Sequence, residues 1–148
     1  MNVSAAEQTF ARATSSFVHS TSTTASSLGS EPLATLVQYM RQLQLATAHE
    51  GWDGERGRPV QSVTWERARV FLESSAERIA PIPLPHVSAS GDGYVHLTWF
   101  RASQRVVLEI GEGGVVWTLL RPNEPPRIND LPNLQDALER LKGFLAGI

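Results

Sequence analysis

No cysteine occurs anywhere in the 148 residues. Disulfides, thiolate metal sites and a cysteine nucleophile are thereby excluded. Lysine is nearly as scarce, with Lys142 standing alone beside twelve arginines. Thirteen basic residues against fifteen acidic ones leave a net charge of −2, and the basic ones do not cluster. Phosphate binding draws on a concentrated cationic face and on counterion release, so nucleic acid is not expected as a partner. Long apolar runs are missing too. Stretches such as VVWTLL fall far short of the roughly 20 residues that span a bilayer, and no membrane association is expected. The start MNVSAAEQTF offers neither a cationic n-region nor an apolar h-region, so the expectation is a cytoplasmic protein without a secretory signal.

The residues present are distributed unevenly. Positions 1–49 carry four charges (Glu7, Arg12, Glu31, Arg41), and the remainder carries all the others. From Ala13 to Ser30, eleven of eighteen residues are serine or threonine. A stretch so poor in apolar surface cannot offset its ordering entropy and reads as linker. Residues 1–30 are therefore expected to form a flexible arm. Val3, Ala6, Phe10, Ala13 and Phe17 lie at helical spacing within it, compatible with a short helix over 4–18. Phe10 and Phe17 would anchor such an arm on a partner. Residues 31–148 are expected to form a single α+β domain.

That domain opens with a helix. Ser30 is placed to cap it and Pro32 sits in its first turn. Leu33, Leu36, Val37, Met40, Leu43 and Ala48 recur at helical intervals, with Leu45 extending the stripe. Gly51 would stop it. A second helix follows Pro59, with Ser62 as N-cap, burying Trp65, Ala68, Phe71, Leu72, Ser75 and Ile79. The prolines at 81, 83 and 85 then fix an extended path that carries the chain to the first strand.

Three runs, GYVHLTWF, RVVLEI and VVWTLL, are rich in β-branched and aromatic residues. Their short connections, RASQ and GEGG, force antiparallel neighbours. A three-stranded antiparallel meander is expected, covered on one face by helices, in the order α-α-β-β-β-α. Val95, Leu97, Trp99, Val106, Leu108, Ile110, Val115, Trp117 and Leu119 share the buried face. The opposite face is mixed: Tyr94, His96, Thr98 and Phe100, then Arg105, Val107 and Glu109, then Val116, Thr118 and Leu120. It is too polar for a second core and too apolar for a fully wet surface, which makes it a candidate partner surface; cover in cis by the N-terminal arm or by the last helix is the equal alternative. A last helix follows RPNEPPRINDLPN, capped by Asn133, with Leu134, Ala137, Leu138, Leu141, Phe144 and Leu145 buried.

The stretch HEGWDGERGRP, His49 to Pro59, joins the first two helices and is the one motif with a chemical look. Its glycines permit positive φ, Asp53 before Gly54 is a common turn pair, and Trp52 would fold beneath the loop with its indole N–H on a carbonyl. A phosphate cradle is not supported, because the Lys-Ser/Thr pair and the preceding strand are both missing. His49, Glu50, Asp53 and Glu55 offer metal donors, but no second histidine sits at ligand spacing. No metal, cofactor or catalytic residue is expected. The alternative is a small enzyme or ligand-binding domain centred on the loop at 49–58, with Trp52, Asp53 and His96 in one pocket.

Residues 50–117 resemble a family of small, mostly uncharacterised bacterial proteins. The resemblance rests on Trp52-Asp53-Gly54, on Pro59-Val60 with Ser62, on Pro83 and Pro85, on Asp92-Gly93 through Trp99, and on Glu109-Ile110. Glu55 stands where the family has an aromatic, and Gln61 interrupts its P-V-S spacing. The resemblance implies no activity; by analogy it implies an accessory protein of antitoxin-like or immunity-like kind. The expected function is a non-catalytic protein-binding module. It would dock its partner through Phe10 and Phe17 of the arm and through Tyr94, His96, Phe100, Val107 and Leu120 of the sheet face.

Overall fold

The structure is a computed structural model that describes residues 30–79 and 81–147. The arm, its helix over 4–18 and the anchors Phe10 and Phe17 lie outside the described residues. Helix α1 spans Ser30–Ala46 and helix α2 Ser62–Arg78; five strands follow, β1 His86–Ala89, β2 Val95–Arg101, β3 Gln104–Ile110, β4 Val115–Leu120 and β5 Arg127–Leu131; helix α3 spans Leu134–Ala146. The class is α+β, with a five-stranded antiparallel sheet in the order β1-β2-β3-β4-β5.

The expectation of three strands is corrected to five. The three runs rich in β-formers are β2, β3 and β4. The two added strands are the edges, and neither looks like a strand alone. HVSA of β1 emerges from the proline path, and RINDL of β5 has one β-branched residue among asparagine, aspartate and arginine. Both are extended because a formed strand beside them offers a ladder, which outweighs weak intrinsic preference.

Alternation along the central strands produces one dry face. Val95, Leu97, Trp99, Val106, Leu108, Ile110, Val115 and Trp117 are buried, and Val87 of β1 and Leu131 of β5 extend that face to both edges. Leu119 is only half-buried. The helices tile this face in sequence order. α1 packs on β1 and α2; α2 packs on β2 and β3; α3 packs on α2, β4 and β5. Phe71 of α2 meets Trp99 edge to face, with ring centroids 6.3 Å apart.

Helix α1 buries Leu36, Tyr39, Met40 and Leu43. Its first residue is Ser30. Leu45, expected in the stripe, is 78% exposed, and Ala48 is exposed beyond the helix end. Two residues past Leu43 the helix has turned about 200°, so Leu45 points away from the sheet. Thr47 then ties α1 to α2. Its hydroxyl donates to the Leu43 carbonyl at 2.8 Å and accepts from the Trp65 indole at 3.1 Å, while its own carbonyl accepts from Val60 N–H at 2.9 Å. In α2 the cap is Gln61, with Ser62 the first helical residue and no side-chain cap bond. Thr64 is buried as well as the expected Trp65, Ala68, Phe71, Leu72 and Ser75. Asn133 does cap α3, its side chain accepting from Asp136 N–H at 2.9 Å.

Two stability predictions follow from these joints. Thr47→Val should leave the Trp65 indole N–H buried without an acceptor and lower stability by roughly 1–3 kcal/mol, measured by denaturant unfolding. Ala102, at the β2–β3 turn, has a φ of 53°, which glycine adopts without steric cost. Ala102→Gly should therefore raise the melting temperature; an unchanged or lower one would refute strain at this turn.

Candidate functional site

Because all three helices lie on one face, the described residues leave the other face of the sheet uncovered. Strand register sorts its side chains into three rows. Ser88, His96, Glu109, Val116 and Asp130 form one row; His86, Thr98, Val107, Thr118 and Ile128 form the next; Phe100, Arg105 and Leu120 form the third. Phe100 is 62% and Ile128 64% exposed, while Val107, Val116, Thr118 and Leu120 are half-buried among their neighbours. His96 Nε2 lies 3.5 Å from Glu109 Oε1, an ion pair when the imidazole is protonated. Tyr94 closes one end of the face, its ring lying where a Cβ on Gly111 would stand. The Gly111 carbonyl accepts from Arg67 Nη1 of α2 at 2.6 Å.

Four of the five sheet residues singled out from the sequence, His96, Phe100, Val107 and Leu120, occupy this face in adjacent rows, and Tyr94 flanks it. Ile128 was missed. It lies on β5, within the proline-rich stretch read as loop, and only pairing with Thr118 turns it onto the face.

The loop at 49–58 is organised by its own backbone. Asp53 Oδ1 accepts from Glu55 N–H at 3.0 Å and from Gly57 N–H at 2.9 Å. Gly51 and Gly54 have φ of 75° and 84°, the region where glycine carries no steric penalty. Trp52 packs against the core, and its indole donates to the Arg58 carbonyl at 2.7 Å. Arg58 N–H in turn donates to the Gly91 carbonyl at 2.8 Å, fastening the loop to the β1–β2 turn. A Cβ on Gly57 would lie 2.6 Å from Asp53 Oδ1, and one on Gly91 2.7 Å from Asp53 Oδ2. The carboxylate is thus wedged between two glycines.

Trp52, Asp53 and His96 line none of three grooves found beside α1 among the described residues. One of these, about 320 Å³, lies beside the proline path and takes in Leu36, Tyr39, Leu84, Val87, Trp99 and Phe100. The other two, of about 370 and 330 Å³, run along the α1–α2 side past Val37 and Arg41. There Arg69 bonds both Glu66 and Glu73. Its guanidinium, hydrogen-bonded to Glu66, holds that carboxyl below the ordinary range. Among the described residues no group of three or more histidine, aspartate and glutamate side chains could hold a metal ion, and no helix is long and apolar enough to cross a membrane.

The wedge at Asp53 makes a prediction. Asp53→Ala should cost roughly 0.5–1.5 kcal/mol for each of the two loop hydrogen bonds lost, least at the exposed Glu55 amide, and Asp53→Asn less, since an amide oxygen can still accept. Gly91→Ala should destabilise the fold by clashing with the carboxylate. Thermal melts of the three variants check this, and equal melting temperatures across the set would refute it.

No family model, curated protein or solved structure matches the chain.

Proposed function

We propose that this chain is a non-catalytic protein-binding module that docks its partner on the open face of the sheet, centred on His96, Phe100, Val107 and Leu120. The observation that carries the reading is the exposure of Phe100 and Ile128 on a sheet face that no described element covers. Exposed apolar side chains gathered on one regular surface, mixed with charge, are typical of interfaces that form and dissociate. A β-sheet also presents them rigidly, so little ordering entropy opposes binding.

The arrangement at 49–58 supports a non-catalytic role. One oxygen of Asp53 serves two backbone amides, and the carboxylate lies so close to Gly57 and Gly91 that a Cβ on either would clash with it, so turn formation and close packing account for this residue. Phe10 and Phe17 belong to the proposal as a second contact. The bacterial resemblance extends it to an accessory, antitoxin-like or immunity-like role.

The test is a comparison in the native host between the C-terminally tagged protein and its Val107→Asp variant. A charge at the centre of the face should reduce one stoichiometric co-purifying protein at least tenfold, an untagged copy of the same chain included. Cross-links from that protein should fall on β2, β3 and β4. If both forms bring down the same proteins in equal amounts, the face is not a binding surface.

A further inference from the structure

We infer that the open sheet face pairs with the same face of a second copy of this chain. The two copies would be related by a two-fold axis running across the strands, through the row of Thr98, Val107 and Thr118. The inference rests on the proposed reading of the face as a protein-binding surface and names its occupant.

Two-fold pairing of a sheet face requires the face to complement itself, residue i meeting residue j and j meeting i. An axis lying across the strands keeps each strand opposite its own copy and exchanges the two outer rows. Arg105 of β3 then falls opposite Glu109 of the second copy, and Glu109 opposite its Arg105. On β4, Leu120 falls opposite Val116. On β2, Phe100 falls opposite His96, an aromatic ring over an imidazole. The middle row meets itself, Val107 on Val107, with Thr98 and Thr118 each facing its own copy. These correspondences are fixed by the observed register. They pair opposite charge with opposite charge on β3 and apolar with apolar on β4, while β2 sets Phe100 over His96.

An in-plane axis running along β3 instead fails the same test. It would set Arg105 on Arg105 and Glu109 on Glu109, and like charges directly opposed at an interface cost several kcal/mol. The charges on β3 therefore select one of the two pairings. Within the chain Glu109 faces His96, whereas Arg105 has no ion-pair partner among the described residues. Arg105 and Glu109 are four residues apart on one strand, about 13 Å along it, and reach each other only across an interface.

The geometry suits the way sheets stack. Two twisted sheets facing each other align within about 30°, so the correspondence is best at the centre, on β3, and loosens toward β1 and β5. Five strands at about 4.8 Å give a face roughly 24 Å wide. That is a small interface, and a partly polar one. The expected dissociation constant is on the order of micromolar.

The experiment is sedimentation of the purified full-length protein over roughly a hundredfold range of concentration. The expected result is a monomer–dimer equilibrium. Arg105→Glu and Glu109→Arg should each weaken the dimer at least tenfold. The double variant Arg105→Glu/Glu109→Arg restores opposite charges across the axis and should recover to within about fivefold of the starting protein. Val107→Asp should abolish dimerisation, with melting temperatures confirming that the variants remain folded. Single and double variants equally weakened would overturn the pairing. So would a dimer untouched by Val107→Asp, or a protein that stays monomeric throughout. A protein monomeric as it stands, but dimeric as Phe10→Asp/Phe17→Asp, would overturn it in favour of the chain's own first residues as the cover. A monomer whose Val107→Asp form loses some other protein in the host would overturn self-pairing and leave the binding reading intact. A monomer whose variant loses nothing there would overturn both.

Discussion

The register of β3 between β2 and β4 is the constraint on which the rest of the molecule depends. Val106, Leu108 and Ile110 face the helices because Val107 and Glu109 face away, and period-two geometry allows no intermediate arrangement. A slip of one residue would bury Arg105 and Glu109 under α2 and expose three aliphatic side chains. The penalty for burying two unpaired charges exceeds anything the turns could return. The register in turn fixes what α2 rests on, so that Phe71 meets Trp99 and Arg67 reaches the Gly111 carbonyl beside the β3–β4 turn.

Once one face is dry, the size of the sheet explains why, among the described residues, the helices leave the other uncovered. Five strands at about 4.8 Å need cover across roughly 24 Å, and three helices of about 10 Å diameter supply it. α1, α2 and α3 are used up in that task, each on its own part of the sheet. The α1–α2 connection then holds the helices in place through two polar joints at its ends. Thr47 ties the end of α1 to Trp65 and Val60, and Asp53 shapes the loop that Arg58 fastens to Gly91. These polar joints sit where loops would otherwise bury unpaired amides. The glycines around Asp53 are therefore read as close-packing positions, and chemistry is not needed to explain them.

Much of this was legible in the sequence because it follows from local rules. The faces of β2, β3 and β4, the stripes of α2 and α3, the Asn133 cap and the Trp52 hydrogen bond to a carbonyl all come from periodicity and donor chemistry acting within a few residues. The failures share a cause. β1 and β5 have little preference for extended structure, and they exist because a neighbouring strand offers partners far away in sequence. Ile128 was lost from the candidate face with β5. Tyr39 and Thr47, outside the stripe read for α1, are buried because α1 lies against α2 and the β1 edge and buries a wider arc than a single stripe. The face itself could be read as mixed. Its openness could not, because that depends on where α3 returns, and the loop before α3 was compatible with either side.

The composition of the open face lies between the two ordinary outcomes for a sheet surface. A second core would exclude Arg105, Glu109 and Asp130, since buried charge without a partner is costly. A purely wet surface would have no use for Phe100 and Ile128 at more than half exposure. Val107 between two threonines, with Arg105 toward one end and Glu109 and Asp130 toward the other, makes a surface that water can cover and that a matching surface can also cover, Arg105 and Glu109 then meeting opposite charges. Glu109 has a partner in either state, His96 within the chain or a cation across an interface. Arg105, exposed and at the opposite end of β3, has no ion-pair partner among the described residues, and a carboxylate across an interface would supply one.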